Sequence, residues 1–529
     1  MKKKLYIYIL ALSALVLSLP SCGDDFLETS PTTEGDGEQL VSDASTAITA
    51  LNGIYRLMYT QGWSTTGNTQ QCDGISSWVL MGEVMGEDMV MKASGSGWYW
   101  FDCTYDVKRR YTSSAWRPYD LWNSFYKLIT NANNIIAKEA TMTGTESDVK
   151  YAVGQAYAIR AFCYNYLATT FARTYIGHEN EPCVPVYLEP TTKETPGKPR
   201  ETVEYVYKNV IRPDIDKAVE LLKDAPRKKG VTHIDYRVAN GIKARICLVT
   251  NEWEEARKAA KEAQEGFTIA GPADLTSGMN NAKAANILWG ATILPDQQGG
   301  WGPFLYHMDA LSMIAMDPPT GTYAYRAPKC INIELYNEMG QKDVRRQWWE
   351  PNNNVILDGN KNPISNYIQV KFRFSDPYTS AGDKLWMRVE EMLLIEAEAL
   401  CRLEKYSEAK TVLENLIKTR DAEYSVGDKT GNELGVLTTD KTGSLLEEII
   451  KQRRIELWGE AGRIYDIKRL KQGFKRTTTM GWPSGALIPS VLTTDPESYA
   501  WIMTIPQAEF DGNESLDIVK DQNPVGDTK

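Results

Sequence analysis

The chain has 529 residues, 42% of them hydrophobic and 24% charged, with a formal net charge of −10. This length and composition allow a sizeable core in one large domain or in two to three smaller ones. An acidic body argues against nucleic acid as a partner and against a basic membrane-surface patch.

Lys2, Lys3 and Lys4 precede an apolar run from Leu5 to Leu19. This is the pattern of a signal peptide. The run is short for a bilayer span, which needs ~20 apolar residues. It ends in Leu19-Pro20-Ser21-Cys22, which resembles a bacterial lipobox with Cys22 as the lipidated residue. Acyl chains on that thiol would anchor the protein without a transmembrane helix. The predicted organisation is a signal peptide over 1–21, a lipidated flexible tether over 22–38 and a single body over 39–529.

Within the body, Ser42 or Asp43 is placed to cap a helix that carries Ile48, Leu51, Ile54, Tyr55 and Met58 on one face and ends near Gln61-Gly62. An irregular insertion is predicted over about 63–118, rich in Gly, Ser, Thr and aromatic residues. Helices are predicted over 119–138, 149–171 and 203–222, the last kinked by Pro213. Two helical hairpins follow, at 237–249 with 253–265 and at 389–403 with 406–419. In the first, Ala244 and Ala256 are twelve apart and Trp253 stands three before Ala256; in the second, Ala397, Ala409 and Tyr406 repeat the arrangement. Small residues at those places let antiparallel helices approach closely, which is the spacing of a tetratricopeptide repeat. A second irregular insertion, about 267–383, separates the hairpins and contains one strand signal at Ile287 to Leu294. Insertions of that length are usually functional or fold separately. The chain closes with a helix over 445–471 and a strand-like 500–506.

Cys72, Cys103, Cys163, Cys183, Cys247, Cys330 and Cys401 are scattered and odd in number, and no disulfide framework is expected. His178, His233 and His307 are likewise dispersed. No paired Cys or His spacing suggests a metal site, and no cofactor is expected.

Several segments together resemble the RagB/SusD family of outer-membrane lipoproteins of Bacteroidetes. They are the acidic leader Cys22-Gly23-Asp24-Asp25, Trp122-Asn123-Ser124-Phe125-Tyr126, Ala158-Ile159-Arg160-Ala161-Phe162, Glu396-Ala397-Glu398-Ala399, Arg453-Arg454-Ile455-Glu456-Leu457-Trp458 and the closing Gln522-Asn523-Pro524. Gln452 and Ala461-Gly462 depart slightly from the family pattern. The resemblance implies a mostly α fold, a tetratricopeptide-like scaffold of about four helix pairs whose irregular insertions carry the binding face. It also implies an oligosaccharide ligand, an outer-membrane location facing the exterior and a SusC-like TonB-dependent transporter as partner.

The 15 Trp and 28 Tyr are the unusual feature of the composition. A rigid ring in a loop offers a flat apolar surface to the C–H face of a sugar, while nearby polar groups bond the hydroxyls. The candidates are the rings outside helices: Trp98, Trp301, Tyr323 and Tyr325, then Trp100 and Trp63, with Asp88 for hydroxyls. In a strand, Trp98 and Trp100 would share one face and Tyr99 the other. Trp122, Trp253, Trp458 and Trp501 are read as core, and Arg453, Arg454, Glu456, Glu460, Arg463 and Asp466 as scaffold that can pair along one helix. The functional expectation is non-catalytic glycan capture. Peptide capture of the RagB type is the alternative. A glycoside hydrolase working through two carboxylates is less favoured; acids are plentiful, but the sequence holds no Gly-x-Ser-x-Gly elbow, His-Glu-x-x-His or Walker loop.

Overall fold

The computed structural model describes residues 41–60, 69–92, 98–109, 112, 117–225, 230–294, 297, 304–313, 315–316, 322–350, 366–487 and 490–526. The predicted signal peptide and tether, with Cys22, lie outside them, as do Trp63 and Trp301.

The first helix, α1, spans Ala44–Leu57 and starts where the Asp43 carboxylate accepts from the Ser45 and Thr46 amides. It buries Ile48, Leu51, Ile54 and Tyr55, the predicted stripe. Helix α2, Ile75–Met85, lies inside the segment expected to be irregular, and all of its residues are buried. A helix surrounded on every side has no polar face, so no period shows in its sequence. Helices α3, Arg117–Ile136, and α4, Glu146–Phe171, pack against each other.

The predicted kink at Pro213 is a short helix, Val203–Val206, a π turn, Tyr207–Ile211, and then α5, Arg212–Lys223. Proline lacks an N–H and crowds the preceding turn. The widened π turn places Pro213 in the first turn of α5, where neither matters.

The two hairpins form as α6, Tyr236–Val249, with α7, Trp253–Gln264, and α8, Val389–Arg402, with α9, Tyr406–Ile417. Ala244, Ala256, Ala397 and Ala409 are fully buried in them. Asn251 and Glu404 turn the hairpins with φ of 56° and 60°. Helix α7 packs on α8, so the stack continues unbroken although more than a hundred residues separate the two in sequence. The predicted closing helix is two: α10, Leu445–Glu456, and α11, Arg463–Leu470. Gly459 and Gly462 between them have φ of 82° and 69°, a left-handed geometry that ends the first helix. The strand-like end of the chain is a 3₁₀ turn, Tyr499–Trp501, followed by irregular chain.

The long insertion leaves the stack through an antiparallel pair, β2 (Ile287–Ala291) with β6 (Lys384–Arg388), in which Ile287 faces Arg388 and Gly290 faces Leu385. A second sheet has the order β1, β3, β5, β4, formed by Met89–Met91, Lys329–Ile331, Ile368–Gln369 and Trp349–Glu350. Strand β1 belongs to the early insertion and β3 to the late one, and Met89 pairs with Ile331. The two insertions are therefore one body.

A buried ionic cluster ties this body to the helices. Glu456 at the end of α10 accepts from Arg345, Arg388 and Arg420. Glu460 pairs with Lys371 and Arg388, and Arg453 with Asp466 of α11. These residues are scaffold, as their pattern suggested, but they pair across elements rather than along one helix. No described helix is long and apolar enough to cross a membrane. The seven cysteines among the described residues are all buried.

Candidate ligand-binding face

Three segments converge beside the β1–β3 junction. The turn before the short helix Trp100–Cys103 supplies Trp98 and Tyr99. The short helix Phe304–Met308 supplies Tyr306 and His307, and Tyr323–Arg326 supplies Tyr323 and Tyr325. Half-buried Trp98 lies with its ring centroid 4.2 Å from that of Tyr323, tilted by 48°. Tyr323 stacks on His307 at 5.0 Å and stands 6.2 Å from Tyr306. Tyr99 meets His307 edge-on at 5.0 Å. Aromatic pairs at such distances add to the area they bury.

The local sequence explains each placement. Tyr99 has φ of 70°, its amide donating to the Gln71 side chain at 2.7 Å. That left-handed residue turns the chain, so Trp98 and Trp100 do not share a strand face. Trp100 is 8% exposed and starts a helix beside a separate cleft of about 380 Å³ lined by Phe101, Tyr105, Lys108 and Tyr499. The pairing expected of the two tryptophans is corrected by this single backbone conformation. The Phe304 amide donates to Asp73 at 2.8 Å, and Asp73 also pairs with Lys384 of β6. Thr322 caps the last segment by accepting from the Tyr325 amide while its hydroxyl donates to the Asp309 carbonyl. Tyr325 is half-buried there.

His307 is fully buried beneath the rings. Burial, with Lys329 nearby, pushes its pKa down to about 3, so the imidazole is neutral. Its Nε2 lies 2.5 Å from the Gln70 carbonyl, which requires the proton on that nitrogen. Lys329 donates to the Ala327 carbonyl, and burial lowers its pKa to about 7. Below Tyr99, Arg117 forms a two-bond pair with Asp102 at 2.7 and 3.0 Å. The floor of the face is thus a hydrogen-bonded polar layer, and its upper rings remain partly open.

Asp88 does not face a ligand. It is buried, held by Arg454 at 2.6 Å and Arg463 at 3.1 Å, and its backbone carbonyl accepts from the Trp458 indole. Two arginines and complete burial leave it no free capacity for a sugar hydroxyl. Of the predicted rings, Trp98 and Tyr323 come together, with Tyr325 on the same short helix as Tyr323. Sequence reasoning missed His307, Tyr306 and Tyr99. A lone His within Leu305-Tyr306-His307 carries no spacing signal, and only the fold reveals its place beneath the rings. A further cavity of about 120 Å³, lined by Phe162, Trp289, Trp386 and Arg453, lies among scaffold side chains and includes neither Trp98 nor Tyr323.

A tetratricopeptide-like helical stack is the fold of SusD-like proteins. The chain matches the family described as "Starch-binding associating with outer membrane" over residues 69–248 and the SusD family over residues 332–525, and it belongs to the SusD/RagB family. SusD-like protein P2 of Formosa agariphila is 25% identical over 380 residues, covering 66% of this chain and 71% of that protein. A SusD-like carbohydrate binding protein from Bacteroides vulgatus superposes with a TM-score of 0.71 at 21% identity, covering 90% of this chain and 97% of its own. Surface glycan-binding protein A from Bacteroides thetaiotaomicron, in complex with laminarihexaose, superposes with a TM-score of 0.65 at 16% identity, covering 90% and 99%. At these identities the solved structures establish the shared fold.

Proposed function

We propose that this protein captures oligosaccharides at the outer surface of the outer membrane, held there by a lipid on Cys22, and delivers them to a SusC-like TonB-dependent transporter. The observation that carries the reading is the Trp98–Tyr323 pair. Each ring comes from a different insertion, and both stand over a buried, neutral His307. Rings fixed before the ligand arrives lose little entropy on binding. Their faces suit the C–H faces of sugars, and the Tyr323 hydroxyl can donate to or accept from a sugar hydroxyl. Trp301 and Trp63 extend this reading as additional contact rings, with Trp301 only three residues before Phe304. The face serves binding alone, and the transporter receives an unmodified ligand. A glycan complex of a protein with the same fold supports this choice of ligand class.

The test is isothermal titration of the mature body against α- and β-linked oligosaccharides and, in parallel, against peptides. Binding of one glycan class supports the reading. A peptide hit with silence across glycans would move it to peptide capture, and product release during titration would reopen catalysis.

A further inference from the structure

Tyr378 is 68% exposed, the most exposed aromatic ring among the described residues. A single exposed tyrosine is ordinary on a protein surface. This one differs in how firmly its backbone is held and in what it is held to. It sits at the tip of a small hairpin, 375–381, in which the Ser375 amide donates to the Ala381 carbonyl and the Ala381 amide to the Asp376 carbonyl, both at 2.9 Å. The Asp376 carboxylate accepts from the Tyr378 amide at 3.0 Å and from the Thr379 hydroxyl at 2.8 Å. Pro377 restricts the first corner and Ser380 takes the left-handed conformation, φ 57°, at the second.

The hairpin is fastened to the aromatic face at three points. The Ser380 hydroxyl lies 2.6 Å from the Tyr306 hydroxyl. Phe374, at its base, packs edge-on against Tyr306 at 5.3 Å. A Cβ added at Gly382 would lie 2.3 Å from Leu305, so the hairpin foot is flush with the helix that carries Tyr306 and His307. Tyr306 in turn stands 6.2 Å from Tyr323. Two chain steps span at most ~7 Å, so the Tyr378 backbone is held close to the Tyr306 hydroxyl.

We propose that Tyr378 is an outer ligand-contact ring, taking a sugar residue of a chain that extends beyond the Trp98–Tyr323 pair. The proposal rests on the glycan reading of that pair. An open ring on a prearranged turn has only its own side-chain rotation left to lose. Its consequence is selectivity for length: a short ligand fills the inner pair, and only a longer one reaches Tyr378.

The experiment is titration of the wild type, Tyr378→Ala, Tyr378→Phe and Trp98→Ala with a length series, disaccharide to heptasaccharide, of the glycan the wild type binds. Circular dichroism and thermal melts confirm that each variant is folded. Trp98→Ala is expected to weaken binding at every length. Tyr378→Ala is expected to leave the shortest bound ligand unchanged and to weaken the longest about fivefold or more. Tyr378→Phe separates ring stacking, which it keeps, from hydroxyl bonding, which it removes. Wild-type affinity of Tyr378→Ala at every length, with Trp98→Ala still defective, overturns the outer ring and leaves the inner site standing. Equal loss at every length also overturns it, because Tyr378 would then belong to the inner site. No glycan binding by the wild type would remove both readings together.

Discussion

Replacing Glu456 tests whether the insertions are fastened to the helical stack by charge. Glu456 is fully buried, and its oxygens accept from Arg388 and Arg420 at 2.8 Å and from Arg345 and Arg420 at 3.2 Å. The surrounding cluster balances Asp343, Glu390, Glu456 and Glu460 against Arg345, Arg388, Arg420 and Lys371. Glu456→Ala leaves one positive charge uncompensated inside the protein, and removing one partner of a buried pair costs ~3–5 kcal/mol. Glu456→Gln keeps the shape and one acceptor oxygen, so it should cost less. Burial alone would raise the Glu456 carboxyl, but Arg420, Arg388 and Arg345 hold it well below the usual range. A depressed folded pKa means that its contribution is complete above the unfolded value and is lost as pH falls through the folded one. Urea unfolding at neutral pH should therefore rank wild type above Gln above Ala. The gap to the wild type should persist down to about pH 5 and narrow only in stronger acid. A Glu456→Ala protein as stable as the wild type would refute the argument that this cluster joins the two parts.

Asp73→Ala removes the acceptor of the Phe304 amide and strands buried Lys384; binding at the aromatic face and the urea midpoint should both fall, whereas unchanged binding would show that the Phe304–Met308 helix needs no such anchor. His307 has a folded pKa of about 3 against an ordinary 6.5, so its share of stability is complete above about 6.5 and is lost as pH falls toward 3. Urea midpoints of His307→Gln should therefore depend less on pH than those of the wild type between about pH 4 and pH 6. Gly74 holds φ of 60° and ψ of −143°, and an added Cβ would lie 2.0 Å from the Met58 carbonyl oxygen; Gly74→Ala should cost at least ~1–3 kcal/mol in backbone strain, read as a lower thermal midpoint.

The helical hairpins were legible because their spacing is local: Ala244 and Ala256, like Ala397 and Ala409, lie twelve residues apart and are buried in consecutive helices. Helix α2 was not, because a helix buried all round presents no alternation to detect. Composition marked the insertions as candidates to carry a binding face, and two of the candidate rings, Trp98 and Tyr323, lie side by side in the structure. Their joining through β1 and β3 rests on strands of three residues, too short to register as a pattern. Asp88 was assigned to sugar hydroxyls because its partner Arg454 stands 366 residues away and leaves no local sign of the pair. His307 had no sequence signal, since its role depends on three segments converging.

We propose that Trp98 and Tyr323 together form the carbohydrate platform. The most direct measurement is a titration of the bound oligosaccharide with wild type, Trp98→Ala, Tyr323→Ala and the double variant. Loss of a ring at the centre of a binding face costs ~2 kcal/mol or more, about thirty-fold in affinity. A loss of that order is expected for each single variant, and a double loss smaller than the sum because the rings pack on one another. Wild-type affinity in the folded double variant would place the ligand elsewhere and contradict the account.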